Sequence, residues 1–491
     1  MEFFDIKLVI LWTDGLLFLL TLLALFAIIY IYRNPYLRCT WREVFRSKIG
    51  ISAFVVLMAY ITTGLLDSFH FRMALETTAN QTEKHYSGEV TSLLDIILGS
   101  LYQHQEKTYS APFSAFQFTK ENTEQPDGTF QRQYPRLEYG GSHLNEELSD
   151  KFADITHRTI VSIFWALAIW GSIAVFLTFM MARKNRDRLE SELKPRFGKK
   201  LGLLVSSMAH TWRKIWTGST DIPWNIALIT TGILILSISW FAQMAEGYHI
   251  FGTDKVGNDV FYLAIKSIRT GLIVGTVTTL IMLPLAIILG IMAGYFRGWI
   301  DDVIQYLYTT LNSIPGVLLI AAAMLVLNVW IDNHPEQFPT AVERADIRLM
   351  SLCIILGLTS WIGLCRLLRG ETLKLRELGY VQAAQVFGVS HVQIIKRHFL
   401  PNLMHIVLIT VVLDFSFLVL AEAVLSYLGI GVDPTTASWG NMINAARLEM
   451  AREPVVWWSL IAAFVFMFGL VLAANLFSDA VRRAFDPRGI S

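Results

Sequence analysis

Gly379–Asn402 reads GYVQAAQVFGVSHVQIIKRHFLPN and lies between two long apolar segments, Ile347–Leu368 and Met404–Leu428. It occupies the place of a loop between membrane spans without having the composition of a linker. Val381, Ala383, Ala384, Val386 and Phe387 predict a short helix with small and apolar residues on one face. Gly388 interrupts it, and a second apolar and basic run, Val392–Phe399, leads to Pro401. A helix–Gly–helix hairpin with exposed alanines suits docking into a groove on another protein, because small side chains let two backbones approach closely. Lys396, Arg397 and His398 give the hairpin a cationic edge. Since cytoplasmic loops carry the excess of Lys and Arg, that edge places it on the cytoplasmic side.

The surroundings agree with a membrane setting. The 491 residues are 54% hydrophobic and only 16% charged, against about a quarter charged in soluble domains. A net charge of +1 gives no ground for a nucleic-acid partner, because the basic residues are grouped by topology. Cys39, Cys353 and Cys365 lie in or beside apolar segments at spacings that suit neither a disulfide framework nor a metal site, and read as small packing residues. The first apolar run lacks a basic n-region and a small-residue cleavage site, so it is expected to be an anchor.

A span needs about 20 apolar residues. Segments that meet or approach this are Leu8–Tyr32, Ile49–Leu66, Thr159–Met181, Ile222–Ala242, Gly271–Gly294, Val303–Ile331, Ile347–Leu368, Met404–Leu428 and Val455–Phe477. Basic clusters at Arg33–Lys48, Arg183–Lys214, Arg366–Arg397 and Arg482–Arg488 fall on one side only if all nine cross. The N-terminus is then outside and the C-terminus cytoplasmic. Residues 1–220 hold three spans, an outward loop (67–158) and a basic connector; residues 221–491 hold six spans. In the outward loop, Val90, Leu93, Leu94, Ile97, Leu98 and Leu101 predict one helix over Glu83–Gln105. Pro112, Gln125–Gly128 and Gly140-Gly141 predict turns. His70, His85, His104, His143 and His157 show no metal-ligand spacing and read as solvated surface histidines.

In register, Gln382, Ala383, Ala384, Gly388, His398, Leu400 and Pro401 fall on the cytoplasmic loop signature of ABC importer permeases. That signature is Glu-Ala-Ala, three residues, Gly, nine residues, a hydrophobic residue or His, any residue, Leu-Pro. Gln382 stands where many members have Glu. Phe251–Val260 (FGTDKVGNDV), Ala293–Gly298, Leu425–Gly431, Ser438–Met442 and Phe485–Arg488 are similar to further segments of the dipeptide, oligopeptide and nickel subfamily. The two glycines and two aspartates of the first of these make a tight, side-chain-capped turn. The resemblance covers about 270 residues. It implies an all-α polytopic bundle, a six-span type I permease core (about 269–478, coupling loop 370–402) preceded by about three extra spans, in a bacterial inner membrane. It further implies a subunit forming half of a translocation pathway, most closely for di- and oligopeptides. Its partners would be a sister permease, ABC ATPase subunits and an extracytoplasmic substrate-binding protein.

No covalent chemistry is expected of such a subunit, no cofactor, and no metal. The chain has no GxxxxGK[ST], so ATP belongs to a partner. Asp414, near the middle of its span, reads either as a group lining the pathway or as a carboxylate bonded to a neighbouring helix. Glu422 reads as support for the outer gate. Pro284 and Pro315 interrupt spans, and Asn312–Gly316 is the better place for a break beside the path. Trp439 reads as an interfacial or partner-facing aromatic. Two alternatives remain at this point. A secondary transporter would need ion-coupling carboxylates in several spans. A membrane sensor would use the outward loop but would need an output domain.

Overall fold

The computed structural model describes residues 6–74, 86–88, 90–124, 130–144, 150–192 and 200–485. Among them nine helices are long and apolar enough to cross a membrane, which is the polytopic helix bundle the sequence predicts.

The described residues open with a strand, β1 (Ile6–Val9), and α1 therefore starts at Trp12 rather than Leu8, running to Arg33. A proline-initiated helix α2 (Pro35–Arg46) turns at Ser47 into α3 (Lys48–Asp67). Beyond α3, β2 (His70–Met73) pairs antiparallel with β1 and with β3 (Thr91–Ser92). This pairing puts β1 and the loop after α3 at one end of the bundle.

The single helix expected over Glu83–Gln105 does not form. Residues 75–85 and 89, with Glu83 and His85, lie outside the described residues. The rest holds two short helices, α4 (Leu93–Ile97) and α5 (Gly99–Gln103). A reciprocal cap fixes the start of α4: Asp95 N donates to Ser92 Oγ at 3.1 Å and Ser92 N to Asp95 Oδ2 at 2.9 Å. Leu98 then leaves helical geometry ahead of Gly99. A hairpin, β4 (Glu121–Glu124) and β5 (Phe130–Gln133), follows; Gln125–Gly128 lies outside the described residues.

Helix α6 (Lys151–Glu192) is much longer than the predicted Thr159–Met181 and carries the chain into the basic connector. Next come α7 (Lys200–Trp216), α8 (Trp224–Ala245) and α9 (Val260–Phe296). At about 1.5 Å per residue α9 spans about 55 Å, so its two ends belong to opposite faces. Pro284 is absorbed inside α9, whereas Pro315 breaks the chain. The predicted span Val303–Ile331 is two helices, α10 (Trp299–Ser313) and α11 (Gly316–Asn333), of which only α11 is apolar enough to cross. The break follows from proline chemistry: Ile314 is forced extended (φ −90°, ψ 131°) and Pro315 has no N–H to donate.

Helices α12 (Ala341–Ser360) and α13 (Ile362–Arg376) run on as one span. The hairpin helices α14 (Gly379–Val386) and α15 (His391–Ile394) and a π-helical turn (Ile395–Phe399) lead into α16 (Leu400–Tyr427). Helices α17 (Trp439–Glu449) and α18 (Trp458–Phe485) complete the described chain; Asp486–Arg488 lies outside it.

The core is built on α9, and its glycines show why. A Cβ on Gly290 would lie 2.9 Å from Cys365 O, and one on Gly294 2.6 Å from Thr372 Cβ, so α13 approaches to backbone contact. Nearer the other end, Gly271 and Gly275 leave the room filled by the rings of Trp439 and Phe415. Both pairs are four residues apart, the small-residue spacing that lets membrane helices pack closely.

The N-terminal helices are joined to this core. Tyr60 Oη donates to Phe466 O at 2.9 Å, Gly64 abuts Leu272, and Ser52 meets Thr230 at 3.0 Å. Helix α6 packs on α8, where Trp170 Nε1 donates to Leu228 O at 2.8 Å.

Three expectations are corrected. Trp439 is not interfacial: it is 1% exposed, and its Nε1 donates to Ala264 O at 3.0 Å. Cys353 and Cys365 are buried, but Cys39 is exposed. The loop histidines are not all solvated surface groups. His70 is buried against Asp14 (Nδ1–Oδ2 2.8 Å), His143 meets Asp154 at 2.9 Å and His104 stacks on Tyr139, while His157 is exposed.

Candidate functional site

The 379–402 hairpin stands on feet set into its own chain. Val381, Ile394 and Phe399 are essentially fully buried in a cluster with Ala293, Tyr295, Leu364 and Leu368 from α9 and α13. Tyr295 Oη meets His391 Nδ1 at 2.7 Å, and Arg297 pairs with Glu377 at 2.7 Å. Helix α14 ends because Gly388 takes a left-handed conformation (φ +73°) and Val389 N–H reaches back to Ala384 O at 3.1 Å. A Cβ at Gly388 would meet nothing, so glycine is needed there for its backbone freedom rather than for space.

The matched positions face in different directions. Gln382 and Ala383 are exposed, and Gln382 Nε2 donates to Glu377 O at 3.3 Å. Ala384 instead packs inward against the chain's own cluster. His398 is half-buried beside Tyr380, and Leu400 and Pro401 open α16. The apolar tip is Val386 and Phe387, 85% and 84% exposed. They are the most exposed large apolar side chains of the hairpin, on a buried base, and Lys396 and Arg397 of the same hairpin are exposed too.

The other end of α9 carries the Gly-Thr-Asp turn. Asp254 Oδ1 accepts from Val256 N at 2.9 Å and Asn258 N at 2.8 Å, and Asp259 caps α9 by accepting from Phe261 and Tyr262. This is the side-chain-capped turn expected. The loop after α3 clasps it. Thr253 Oγ1 accepts from Ser110 N at 2.6 Å and donates to Thr108 O, and Glu106 N donates to Gly257 O at 3.0 Å. At the centre His249 Nδ1 lies 2.7 Å from Asp259 and Nε2 3.4 Å from Glu106. Glu106 also accepts from the backbone of Glu138, Tyr139 and Gly140 at 2.9–3.0 Å. Burial alone would lower the His249 pKa, but the hydrogen bonds and charges of Asp259 and Glu106 outweigh it and hold it at about 9. Burial alone would raise that of Glu106, yet His249 and three backbone donors bring it down to about 2.

These shifts fix a pH window. The His249 contribution is complete below its ordinary value of 6.5 and is lost as pH rises through about 9. That of Glu106 is complete above 4.5 and is lost as pH falls through about 2. The clasp is therefore tightest between about pH 4.5 and 6.5. Hydrogen exchange at the Tyr139 and Gly140 amides, corrected for intrinsic rates, is expected to show more frequent opening at pH 9.5 than at pH 6. Equal opening at the two would remove the cluster from the account.

A charged layer that the sequence reading missed lies beside the clasp. Arg269 of α9 pairs with Asp14 of α1 at 2.6 Å, Lys266 pairs with Asp95 at 2.7 Å, and Thr13 bonds to Asp346 of α12. The available signal was a charge inside an apolar span, which demands a partner.

Asp414, Glu422 and Pro315 occupy unlike surroundings. Asp414 is half-buried and has no hydrogen-bonding or ionic partner among the described residues. Glu422 is 1% exposed, with Ser426 Oγ donating to it at 2.7 Å. Pro315 is exposed at the α10–α11 break.

Residues 286–490 match the family described as binding-protein-dependent transport system inner membrane component. The chain is 28% identical over 300 residues to the glutathione transport system permease protein GsiD of Pectobacterium atrosepticum, covering 57% of this chain and 93% of that one. It is 30% identical to the oligopeptide transport system permease protein OppC of Haemophilus influenzae (50% of this chain, 73% of that one). It is 29% identical to the dipeptide transport system permease protein DppC of Bacillus subtilis (49% and 69%). A solved chain of the MetNI methionine ABC transporter aligns at a TM-score of 0.34 with 16% identity, covering 46% of this chain and 97% of that one. The match to the family, and identity spread along most of the length of several of its members, make this chain a member of the binding-protein-dependent inner membrane components, a multi-pass permease subunit of an ABC importer.

Proposed function

We propose that this permease forms half of the pathway of an importer for di- and oligopeptides, moved by a separate ATPase that grips the 379–402 hairpin. The observation that carries the reading is the Val386–Phe387 tip, almost wholly exposed on a hairpin whose feet are fully buried. An exposed aromatic on a rigid base is what a partner's pocket takes up as an anchor. Ala383 and Gln382 border the contact, Gly388 shapes it, and His398, Leu400 and Pro401 join it to α16.

The remaining assignments follow from that role. The hairpin faces the cytoplasm, with the C-terminus on the same side and the N-terminus outside. A sister permease, two ATPase domains and an extracytoplasmic binding protein complete the assembly, with ATP held by the ATPases. The permease unit covers 221–491, and residues 1–220 are an extension clasped to its outer end. Asp414 lines the path, Pro315 provides a hinge beside it, and Glu422 holds α16 to α17 near the outer gate.

The test is uptake into proteoliposomes holding the assembled complex. ATP-dependent accumulation of a labelled tripeptide, lost when the binding protein is omitted, is the expected result. Accumulation without ATP, or none of any peptide, would overturn the reading.

A further inference from the structure

The helix ends that meet at the outer-loop end of the bundle line a half-open cavity of about 630 Å³. That size is typical of pockets that enclose small ligands, roughly 300–1,000 Å³. Its wall carries both charge signs: Lys266 and Arg269 from α9, Asp67 from the end of α3, and Asp346 from α12.

The protein satisfies these groups unequally. Lys266 Nζ is held by both Asp95 oxygens at 2.7 and 2.8 Å and by Tyr262 Oη at 3.0 Å. Asp346 accepts from the Thr13 backbone and hydroxyl. Arg269 donates through Nε and Nη2 to Asp14 and Thr13, but its Nη1 has no partner among the described residues. Asp67 Oδ1 accepts from Ser92 Oγ at 2.7 Å, and Oδ2 has no partner among the described residues. Yet Asp67 is 2% exposed and the Arg269 side chain 11%. Neither atom is sealed off from solvent, and Arg269 and Asp67 attract each other across the gap, so one donor and one acceptor of opposite charge open onto the same space. Among the described residues no three His, Cys, Asp or Glu gather to hold a metal ion.

We propose that this cavity binds a short zwitterionic peptide, its ammonium on Asp67 Oδ2 and its carboxylate on Arg269 Nη1. The inference rests on the peptide-importer reading and adds a site to it. The N-terminal extension makes the site, supplying Asp67 directly and orienting Arg269 through Asp14. All of these residues precede the family match, which begins at residue 286. The ligand-facing carboxylate thus belongs to a part of the chain that the shared permease core does not include.

The test is binding of labelled trialanine to the full-length chain in lipid nanodiscs. Saturable binding is expected, weakened about tenfold or more by N-acetylation, by C-terminal amidation and by Asp67→Asn, since each removes one charge-assisted hydrogen bond. Thr436→Trp, which fills the cavity without touching a charge, should abolish binding in a chain that still elutes as a folded species. Spermidine should compete poorly, because it offers no carboxylate to Arg269. Absence of saturable binding, equal binding of trialanine and its N-acetyl form, or full binding by T436W would each overturn the site. ATP-driven trialanine uptake by a T436W complex at the unaltered rate would remove the site while leaving peptide import standing. Failure of uptake in the unaltered complex would instead strike the import reading.

Discussion

Replacing Phe387 by Asp is expected to abolish retention of the ATPase subunits by the purified permease and to leave its thermal unfolding unchanged. Phe387 is 84% exposed, so the fold does not use its ring, and surface changes of this kind stay within about 0.5 kcal/mol. A buried aromatic anchor at an interface is worth about 2–4 kcal/mol, or about 30- to 1,000-fold in affinity, and the introduced carboxylate adds its own desolvation penalty. Val386→Asp should act in the same direction. Val381→Asp supplies the contrast: it is 1% exposed in the hairpin's foot, so it should lower both stability and ATPase retention. Retention of the ATPase by the F387D permease, measured by co-purification, would contradict the assignment of the tip as the docking element.

The second large effect concerns the charged layer beside the clasp. Asp14 is fully buried and is held by Arg269 at 2.6 Å and by His70 at 2.8 Å. Arg269→Ala strips the guanidinium from that carboxylate and should destabilise the chain by about 3–5 kcal/mol, the cost of breaking a buried ion pair from one side. Removing both partners, Asp14→Ala with Arg269→Ala, should recover part of the loss, because neither member of the pair is then left facing a missing counter-charge, although His70 loses its Asp14 partner. Thermal unfolding in detergent measures both. A double variant as unstable as the sum of the two single ones would show that the pair is not coupled.

What the sequence reveals and what it hides divide along contact distance. The hairpin is legible because its determinants are local: alanines, a turn glycine and a basic edge within two dozen residues. The nine spans are legible because apolar length is a sufficient signal. The clasp and the charged layer join Glu106 to His249 and Asp14 to Arg269, pairs far apart in the chain, and no period or spacing announces them. Trp439 is misplaced by its ordinary preference for interfaces, because the hole that receives it is made by Gly271 on another helix. Ala383 and Ala384 look alike in sequence, yet Ala383 is exposed while Ala384 packs on the core, since only the buried feet set the rotation of α14. The α4–α5 break is hidden because its apolar residues keep helical spacing across Leu98 while a local cap and Gly99 decide where the helices begin and end.

The most direct test of the central claim is the side of the membrane on which the hairpin lies. The measurement is labelling of Ser390→Cys by an impermeant maleimide, in a Cys39→Ser background that removes the one exposed native thiol. The exposed Ser142, as Ser142→Cys, serves as the opposite-face control. In sealed spheroplasts S142C should react and S390C should not, and in inverted vesicles the order should reverse. Labelling of S390C in sealed spheroplasts would put the hairpin outside, beyond the reach of any ATPase, and would contradict the account.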